Sequence, residues 1–440
     1  MKIRLLFPLV LVVCAVVQTF AQTQNPSSNE EQQPLAHAVT SVQTPASVLP
    51  PVTAVLSMKT IGNHVDEAKR LLKSVANTPS DFVTLAALDR ADSRLHLLPL
   101  AKEFFLKRGA EMLINTSHGA QVRVTVVRAN GVNTAVQILD TASGRSLMPL
   151  VVQYPISRDG QLREMAYYTS VHPALLSPEI VREGGSYVRT MLESAASRLR
   201  AQGEKIEPEI VDIAEHLCIV EHTDHGRFMR EDRAALFQEI LSLYALNEPD
   251  TYRYSVSSAG AGGMVQMIPS TYAMVRRLHP DSNLKEDFVS GMTDHSNALE
   301  AMLLYMQDTW DDLLKSADVR DALSSGLATQ PELVAAGYNS NPARLPSYIR
   351  RGGADWRTLI PTETQMYLRI YASLDQLHFK HQQGAPKRLN QPAAPMPLLA
   401  KLANAWSSGV NHSASLTNGR LPLRRSKFLI ADALLSVRLR

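Results

Sequence analysis

The chain has 440 residues, of which 45% are hydrophobic and 20% charged, and its formal net charge is +3 at pH 7. These values are ordinary for a soluble globular protein and leave room for two or three domains. There are two cysteines, Cys14 and Cys218. An intramolecular disulfide is therefore excluded if Cys14 is removed with an export signal.

Residues 1–21 have the layout of an export signal. Two basic residues precede an apolar run from Leu5 to Val17, and Ala21 ends a short segment that fits a cleavage site. We therefore predict export to the periplasm or cell envelope. The alternatives are a retained anchor, although the run is short for a membrane span, and a lipoprotein acylated at Cys14.

Two further segments are predicted to lie outside the folded domains. Residues 22–57 are rich in Gln, Pro, Ser, Thr and Val, which is typical of a flexible linker. Residues 379–440 form a basic tail, in which ten Lys or Arg side chains face one acidic residue, Asp432. Such a tail is either solvated and partly disordered or bound to an anionic membrane or cell-wall polymer. Nucleic acid is a poor partner for an exported protein.

Residues 60–203 are predicted to form a small α+β domain. Apolar residues fall at helical spacing from His64 to about Leu113, which predicts a helical opening. Alternation from Val122 to Val126, followed by Asn130-Gly131, predicts a β-hairpin. Further strands are expected at 150–154 and 164–169, and then a helix at about 185–201. We find no catalytic constellation in this segment, which we expect to bind a partner or to position an enzyme.

A new helix is predicted to begin at Glu207-Pro208 and to carry an apolar stripe that Glu221 continues. An ionised carboxylate is costly to bury, so the pKa of Glu221 should rise and its carboxyl should stay protonated near neutral pH. A general acid requires that property. The alternative is that Glu221 ends the helix and points to solvent. His222 and His225 do not have the spacing of a zinc motif, so we expect no metal site.

A glycine-rich segment follows, from Ser257 to Tyr272. Its glycines at 260, 262 and 263 permit either close backbone approach to a ligand or backbone angles that a side chain would forbid. Pro269 indicates the start of a helix near Ser270 or Thr271. The segment lacks the Gly-Lys-Ser/Thr ending of a phosphate-binding loop, which argues against a nucleotide site.

Two later segments belong with the glycine-rich segment. They are Ala336-Gly337-Tyr338-Asn339-Ser340-Asn341-Pro342 and Pro361-Thr362-Glu363-Thr364-Gln365-Met366-Tyr367. The glycine-rich segment resembles the pattern Ser-x-x-Gly-Ala-x-Gly-Leu-Met-Gln-x-x-Pro-x-Thr of the soluble lytic transglycosylase domain family. The later segments resemble that family's Ala-Ala-Tyr-Asn-Ala-Gly-Pro and Pro-x-Glu-Thr-x-x-Tyr. The resemblance covers about residues 206–375, which is under half of the chain.

The resemblance implies a mainly α fold, in which a lysozyme-like helical catalytic domain at 204–378 follows the α+β domain. It also implies cleavage of the β-1,4 bond between N-acetylmuramic acid and N-acetylglucosamine in peptidoglycan. One glutamate acts as acid and then as base, so that the sugar's 6-hydroxyl closes a 1,6-anhydro ring. No metal or cofactor is implied. The residues expected to line the sugar groove are Ser257, Gln266, Tyr338, Asn339 and Glu363.

The chain departs from the family at the glutamate itself. Glu221 is followed by His222 and lies 36 residues before Ser257, whereas Glu248 lies at the family's usual spacing of about nine. We assign the catalytic role to Glu221, because Glu248 is in a polar Asn-Glu-Pro-Asp turn where water should keep its pKa near the ordinary value. The residues around Tyr338 also differ, with Gly337, Ser340 and Asn341 in place of the family's Ala, Ala and Gly.

Two other functions remain open from the sequence. A hydrolase of the goose-type lysozyme kind would need a positioned water and a second carboxylate such as Asp224. The segment that carries Asp224 looks solvated and unsuited to that role, which favours the transglycosylase product. The substitutions near Tyr338 also leave open a catalytically silent peptidoglycan-binding module.

Overall fold

The computed structural model describes residues 56–75, 79–158 and 160–384. The predicted export signal, nearly all of the predicted linker and nearly all of the basic tail lie outside these residues. The described residues cluster into one compact unit. Within them, no helix is long and apolar enough to cross a membrane.

The fold opens with α1, Met58–Ser74, which packs on a sheet. The Ser57 hydroxyl accepts a hydrogen bond from the Thr60 N–H at 3.2 Å, which caps the first turn. Four apolar residues of α1 are buried against the sheet, namely Ile61, Val65, Ala68 and Leu72. Their spacing gives the helix one apolar face.

Seven antiparallel strands form the sheet in the order β2-β1-β6-β5-β4-β3, and β7 also pairs with β6. The strands are β1 Phe82–Asp89, β2 Arg94–Ala101, β3 Glu111–Asn115, β4 Gln121–Arg128, β5 Ala135–Asp140, β6 Ser146–Arg158 and β7 Gln161–Tyr168, with a short helix α2, Lys102–Phe105, after β2. The predicted helical opening is therefore wrong beyond α1. Seven consecutive residues of β1 are buried, so the strand lacks the alternation by which sequence patterns reveal strands.

The strands that were predicted from Val122 onward are confirmed. β4 and β5 pair antiparallel, from Val122 with Asp140 to Val126 with Val136. Their connection is longer than a two-residue turn and contains a 3-10 turn, Gly131–Asn133. β6 and β7 contain the two strand segments predicted after the hairpin.

The rest of the described chain is helical and carries the larger apolar core. Its helices are α3 Pro178–Ala201, α4 Pro208–Val220, α5 His225–Arg230, α6 Arg233–Leu246, α7 Pro269–Leu278, α8 Phe288–Thr293, α9 His295–Leu313, α10 Ala317–Ser324, α11 Gln330–Asn339, α12 Leu345–Gly352, α13 Trp356–Leu359 and α14 Thr362–Gly384. α9 is buried along most of its length and lies at the centre of this core.

The sheet and the helices are joined by shared packing. α3, which the sequence placed before the domain boundary at 203–204, packs against α6 and α9 through Val188, Leu192 and Leu199. In the other direction, Leu243 of α6 belongs to the core of the sheet. The fold is therefore mixed α+β, and the expectation of a mainly α protein is only partly met.

Candidate active site

A cavity of about 1000 Å³ opens where α4 ends, between the glycine-rich segment and helices α9, α11 and α14. It is lined by all six residues that the sequence proposed for the site, which are Glu221, Ser257, Gln266, Tyr338, Asn339 and Glu363. They come from four separate parts of the chain. The structure therefore brings the candidate acid and the candidate groove residues to one place.

Glu221 forms the C-cap of α4 and is only partly accessible from the cavity. Burial among apolar neighbours raises its pKa to about 8, and the negative charge of Glu363 adds to that rise. The Tyr367 hydroxyl donates a hydrogen bond to Oε1 at 2.7 Å, which acts in the opposite direction. The carboxyl is therefore mostly protonated at neutral pH, and the predicted rise in its pKa is confirmed.

Glu248 lies just after α6 and does not line the cavity. The residue as a whole is exposed, yet the protein around its carboxyl displaces part of the surrounding water. This desolvation and the negative charge of Glu183 raise the pKa of Glu248 to about 7. The expectation of an ordinary pKa at this residue is therefore wrong. Position separates the two glutamates better than pKa does, because Glu221 alone of the pair borders the cavity.

The glycine-rich segment forms tight turns. Gly263 has φ of +69°, and a Cβ there would lie 2.2 Å from the backbone oxygen of Met292. The Gly263 N–H donates to the Ser255 carbonyl at 3.0 Å, and the Ser257 hydroxyl accepts from the Ala261 N–H at 3.0 Å. The sequence left open whether these glycines allow close approach to a ligand or backbone angles that a side chain would forbid. Gly263 serves the latter role, since its positive φ is one that a side chain disfavours.

Gln266 lies at the end of these turns, also in the left-handed region with φ of +46°. Its amide Nε2 donates to the Gly263 carbonyl at 2.8 Å and to the Ser255 hydroxyl at 3.2 Å. The amide nitrogen therefore holds the turn together. The amide oxygen stays available as an acceptor for a ligand.

Tyr338 and Asn339 end α11 and connect it to two other walls of the cavity. The Tyr338 hydroxyl donates to the Val265 carbonyl at 2.7 Å, and Asn339 Oδ1 accepts from the Thr364 hydroxyl at 2.8 Å. A Cβ at position 337 would lie 2.9 Å from the methyl group of Thr309. Close packing thus favours the glycine that departs from the family pattern at this position.

No protein-family model, curated protein or solved structure matches this chain. The assignment of a function therefore depends on the chemistry of the cavity.

Sequence reasoning missed Tyr367 as a partner of Glu221. This tyrosine lies on α14, four residues after Glu363, so both side chains are carried by the same face of one helix. The motif around Glu363 contained the signal, but its spacing alone does not show which group the hydroxyl would meet.

The histidine beside Glu221 has a structural role. His222 Nε2 lies 2.9 Å from the Met264 carbonyl, and its ring stacks on Tyr252 with centroids 3.4 Å apart. A carbonyl only accepts, so Nε2 carries the proton. Burial lowers the pKa of His222 to about 3, which keeps the ring neutral. Within the part of the chain that the structure describes, no three His, Cys, Asp or Glu side chains are grouped to hold a metal ion.

The remaining cysteine, Cys218, is fully buried on α4. Burial raises the pKa of its thiol well above the ordinary value. A buried thiol that keeps its proton is a poor nucleophile, so Cys218 serves packing.

Proposed function

We propose that the protein is a lytic transglycosylase that cleaves the β-1,4 bond between N-acetylmuramic acid and N-acetylglucosamine in peptidoglycan. The observation that carries the proposal is the partly buried carboxyl of Glu221, whose pKa is raised, at the wall of a cavity of about 1000 Å³. The polar side chains around it, including Gln266 and Asn339, have the chemistry that sugar hydroxyls require. In this proposal residues 204–378 act as a lysozyme-like catalytic domain on an exported protein.

In this mechanism Glu221 first donates its proton to the glycosidic oxygen as the bond to the muramic acid C1 breaks. Positive charge develops at C1 and its ring oxygen, and the new Glu221 carboxylate lies beside it. The carboxylate then removes the proton from the sugar's own 6-hydroxyl while that oxygen bonds to C1. The proton returns to Glu221, and a 1,6-anhydro ring remains on the product.

The intramolecular hydroxyl is a strong competitor of water because it is held next to C1 at a high effective concentration. Tyr367 supports the acid by occupying Oε1, so that we expect Oε2 to carry the proton. One carboxyl can thus perform both proton transfers, whereas most glycosidases use two.

A specific observation also favours a hydrolase of the goose-type lysozyme kind. Glu363 lines the same cavity and its charge affects Glu221, so a second carboxylate is available. The sequence had suggested Asp224 for that role, but Asp224 instead caps α5 by accepting from the Arg227 N–H at 2.7 Å. Glu363 is therefore the better candidate for activating a water.

Mass spectrometry of products from purified sacculi tests the proposal. A transglycosylase releases muropeptides ending in 1,6-anhydro-N-acetylmuramic acid, which are about 18 Da lighter than hydrolysis products because no water is added. The Glu363→Gln variant should still release them. Reducing-end products that disappear with Glu363→Gln would establish the hydrolase instead, and the absence of any product would leave a binding module.

A further inference from the structure

A second cavity, of about 680 Å³, meets the first at Glu221. Glu221 and Thr223 line both cavities, so Glu221 lies at their junction. On one side the second cavity is lined by α6 and the segment that follows it. On the other side it is lined by the sheet, through the β4–β5 connection at 128–133 and through β6 and β7.

The lining of the second cavity is aromatic and nearly neutral. Tyr252 and Tyr254 are half-buried there, and Tyr252 is fixed by its parallel stack on the ring of His222. Aromatic faces pack well against the C–H faces of sugar rings, since both are apolar and flat. The wall therefore has the chemistry of a carbohydrate site.

The charges in the second cavity compensate one another. Arg227 binds Glu239 through both terminal nitrogens, at 2.8 and 3.0 Å, and Arg128 approaches the same carboxylate at 3.4 Å. A site for a phosphate or a carboxylate-rich peptide would leave its cations free for the ligand. Paired charges instead offer donors and acceptors to neutral hydroxyls and amides.

Asn133 adds an unsatisfied polar group to this wall. Its side chain is nine-tenths buried, and Oδ1 has no hydrogen-bond partner among the described residues. Unpaired buried acceptors are unfavourable, so a donor brought by a ligand would improve the site. Sugar hydroxyls and acetamido N–H groups are such donors.

We propose that the second cavity continues the glycan-binding cleft past Glu221, so that the sheet binds sugars on the far side of the cleaved bond. The inference rests on the proposed function, because the glycan that would occupy the second cavity is the same one that Glu221 would cleave. The new element is the sheet, which would bind part of that glycan. It gives residues 128–133 and Tyr254 a direct role in substrate binding. A glycan chain bound on both sides of Glu221 is positioned for cleavage away from its ends.

The test is the affinity of the full chain carrying Glu221→Gln for the hexasaccharide of β-1,4-linked N-acetylglucosamine, measured by isothermal titration calorimetry. Asn130→Trp places a large ring in the second cavity from an exposed position, and Tyr254→Ala removes part of its aromatic wall. Each should weaken binding about tenfold, Asn130→Trp because its side chain fills space that a sugar would occupy and Tyr254→Ala because an aromatic contact is lost. Gln137→Ala is the matched control, since Gln137 is exposed on the neighbouring strand β5 and does not line the cavity.

The outcomes separate this inference from the proposed function. Hexasaccharide affinity that stays the same in both variants, with unchanged unfolding temperatures, would overturn the inference and leave the proposed function intact. A parent protein that binds no hexasaccharide would overturn both. A free stem tetrapeptide that binds the parent but not Tyr254→Ala, with sugar affinity unchanged, would assign the second cavity to peptide.

Discussion

Replacing Glu221 with Gln should remove catalysis while leaving the fold intact. The amide has nearly the same shape and can still accept the hydrogen bond from Tyr367, but it has no acidic proton to give. We expect turnover on purified sacculi at pH 7 to fall by roughly three orders of magnitude, within the range of general acid catalysis. Binding of sacculi should be almost unchanged.

The same substitution should change stability in a pH-dependent way. The folded-state pKa of Glu221, about 8, exceeds its ordinary value near 4.5, so the folded state binds the proton more tightly than the unfolded state. Folding free energy is therefore lost as pH rises from about 4.5 to 8, by at most about 5 kcal/mol at 1.36 kcal/mol per pKa unit. Water in the cavity screens the charge, so we expect Glu221→Gln to gain about 2–4 kcal/mol over the wild type between pH 5 and pH 8.5.

Urea unfolding at pH 5 and pH 8.5 measures this difference, and turnover at pH 7 is measured on the same preparations. Glu248→Gln is the control, because Glu248 also has a raised pKa but lies outside the cavity. It should retain turnover. An inactive Glu248→Gln beside an active Glu221→Gln would refute the assignment of the acid. A stability difference that does not change with pH would refute the burial of its charge.

Three further predictions follow from the same geometry and from the basic tail. Because Glu221 must be protonated to act as the acid, kcat/KM should fall above about pH 8. Tyr367→Phe should move this fall to higher pH and Glu363→Gln to lower pH, since the first contact lowers the pKa of Glu221 and the second raises it. A fall at the same pH in both variants would contradict the two contacts. Gly263→Ala should lower the free energy of unfolding by about 3 kcal/mol or more, because its Cβ would meet a backbone oxygen at 2.2 Å. Gly260→Ala, with open space around it, should cost about 1 kcal/mol, and equal losses would refute the close contact. Deletion of residues 380–440 should weaken sedimentation with sacculi at low salt, because it removes ten basic side chains and one acidic side chain, without changing turnover on short glycans. The difference should shrink as salt rises, because salt screens the attraction; unchanged sedimentation at low salt would contradict a role for the tail.

Local patterns in the sequence determined much of the helical region. The apolar stripe and proline start of α4 predicted both the helix and the raised pKa of Glu221 at its end. The alternation before Asn130-Gly131 predicted the pairing of β4 with β5. Such features are encoded within a few turns or one hairpin, so they are readable without knowledge of distant contacts.

Other features depended on which distant segments meet. β1 is covered on both faces, by α1 and by other parts of the fold, so its apolar run carried no strand signature. The Tyr367 hydroxyl reaches Glu221 from 146 residues further along the chain, and Glu363 on the same helix affects the same carboxyl. Spacing within one segment carries no information on such a meeting.

The contrast between Glu221 and Glu248 shows most directly what the sequence by itself could not determine. The sequence distinguished them by the polarity of their immediate neighbours, yet loss of water around the carboxyl and a nearby carboxylate raise the pKa of both. Only the tertiary structure decided that Glu221 lies where two cavities meet and that the sheet forms a wall of the second. A cavity is a property of surfaces from many segments, and its position is fixed when those segments pack.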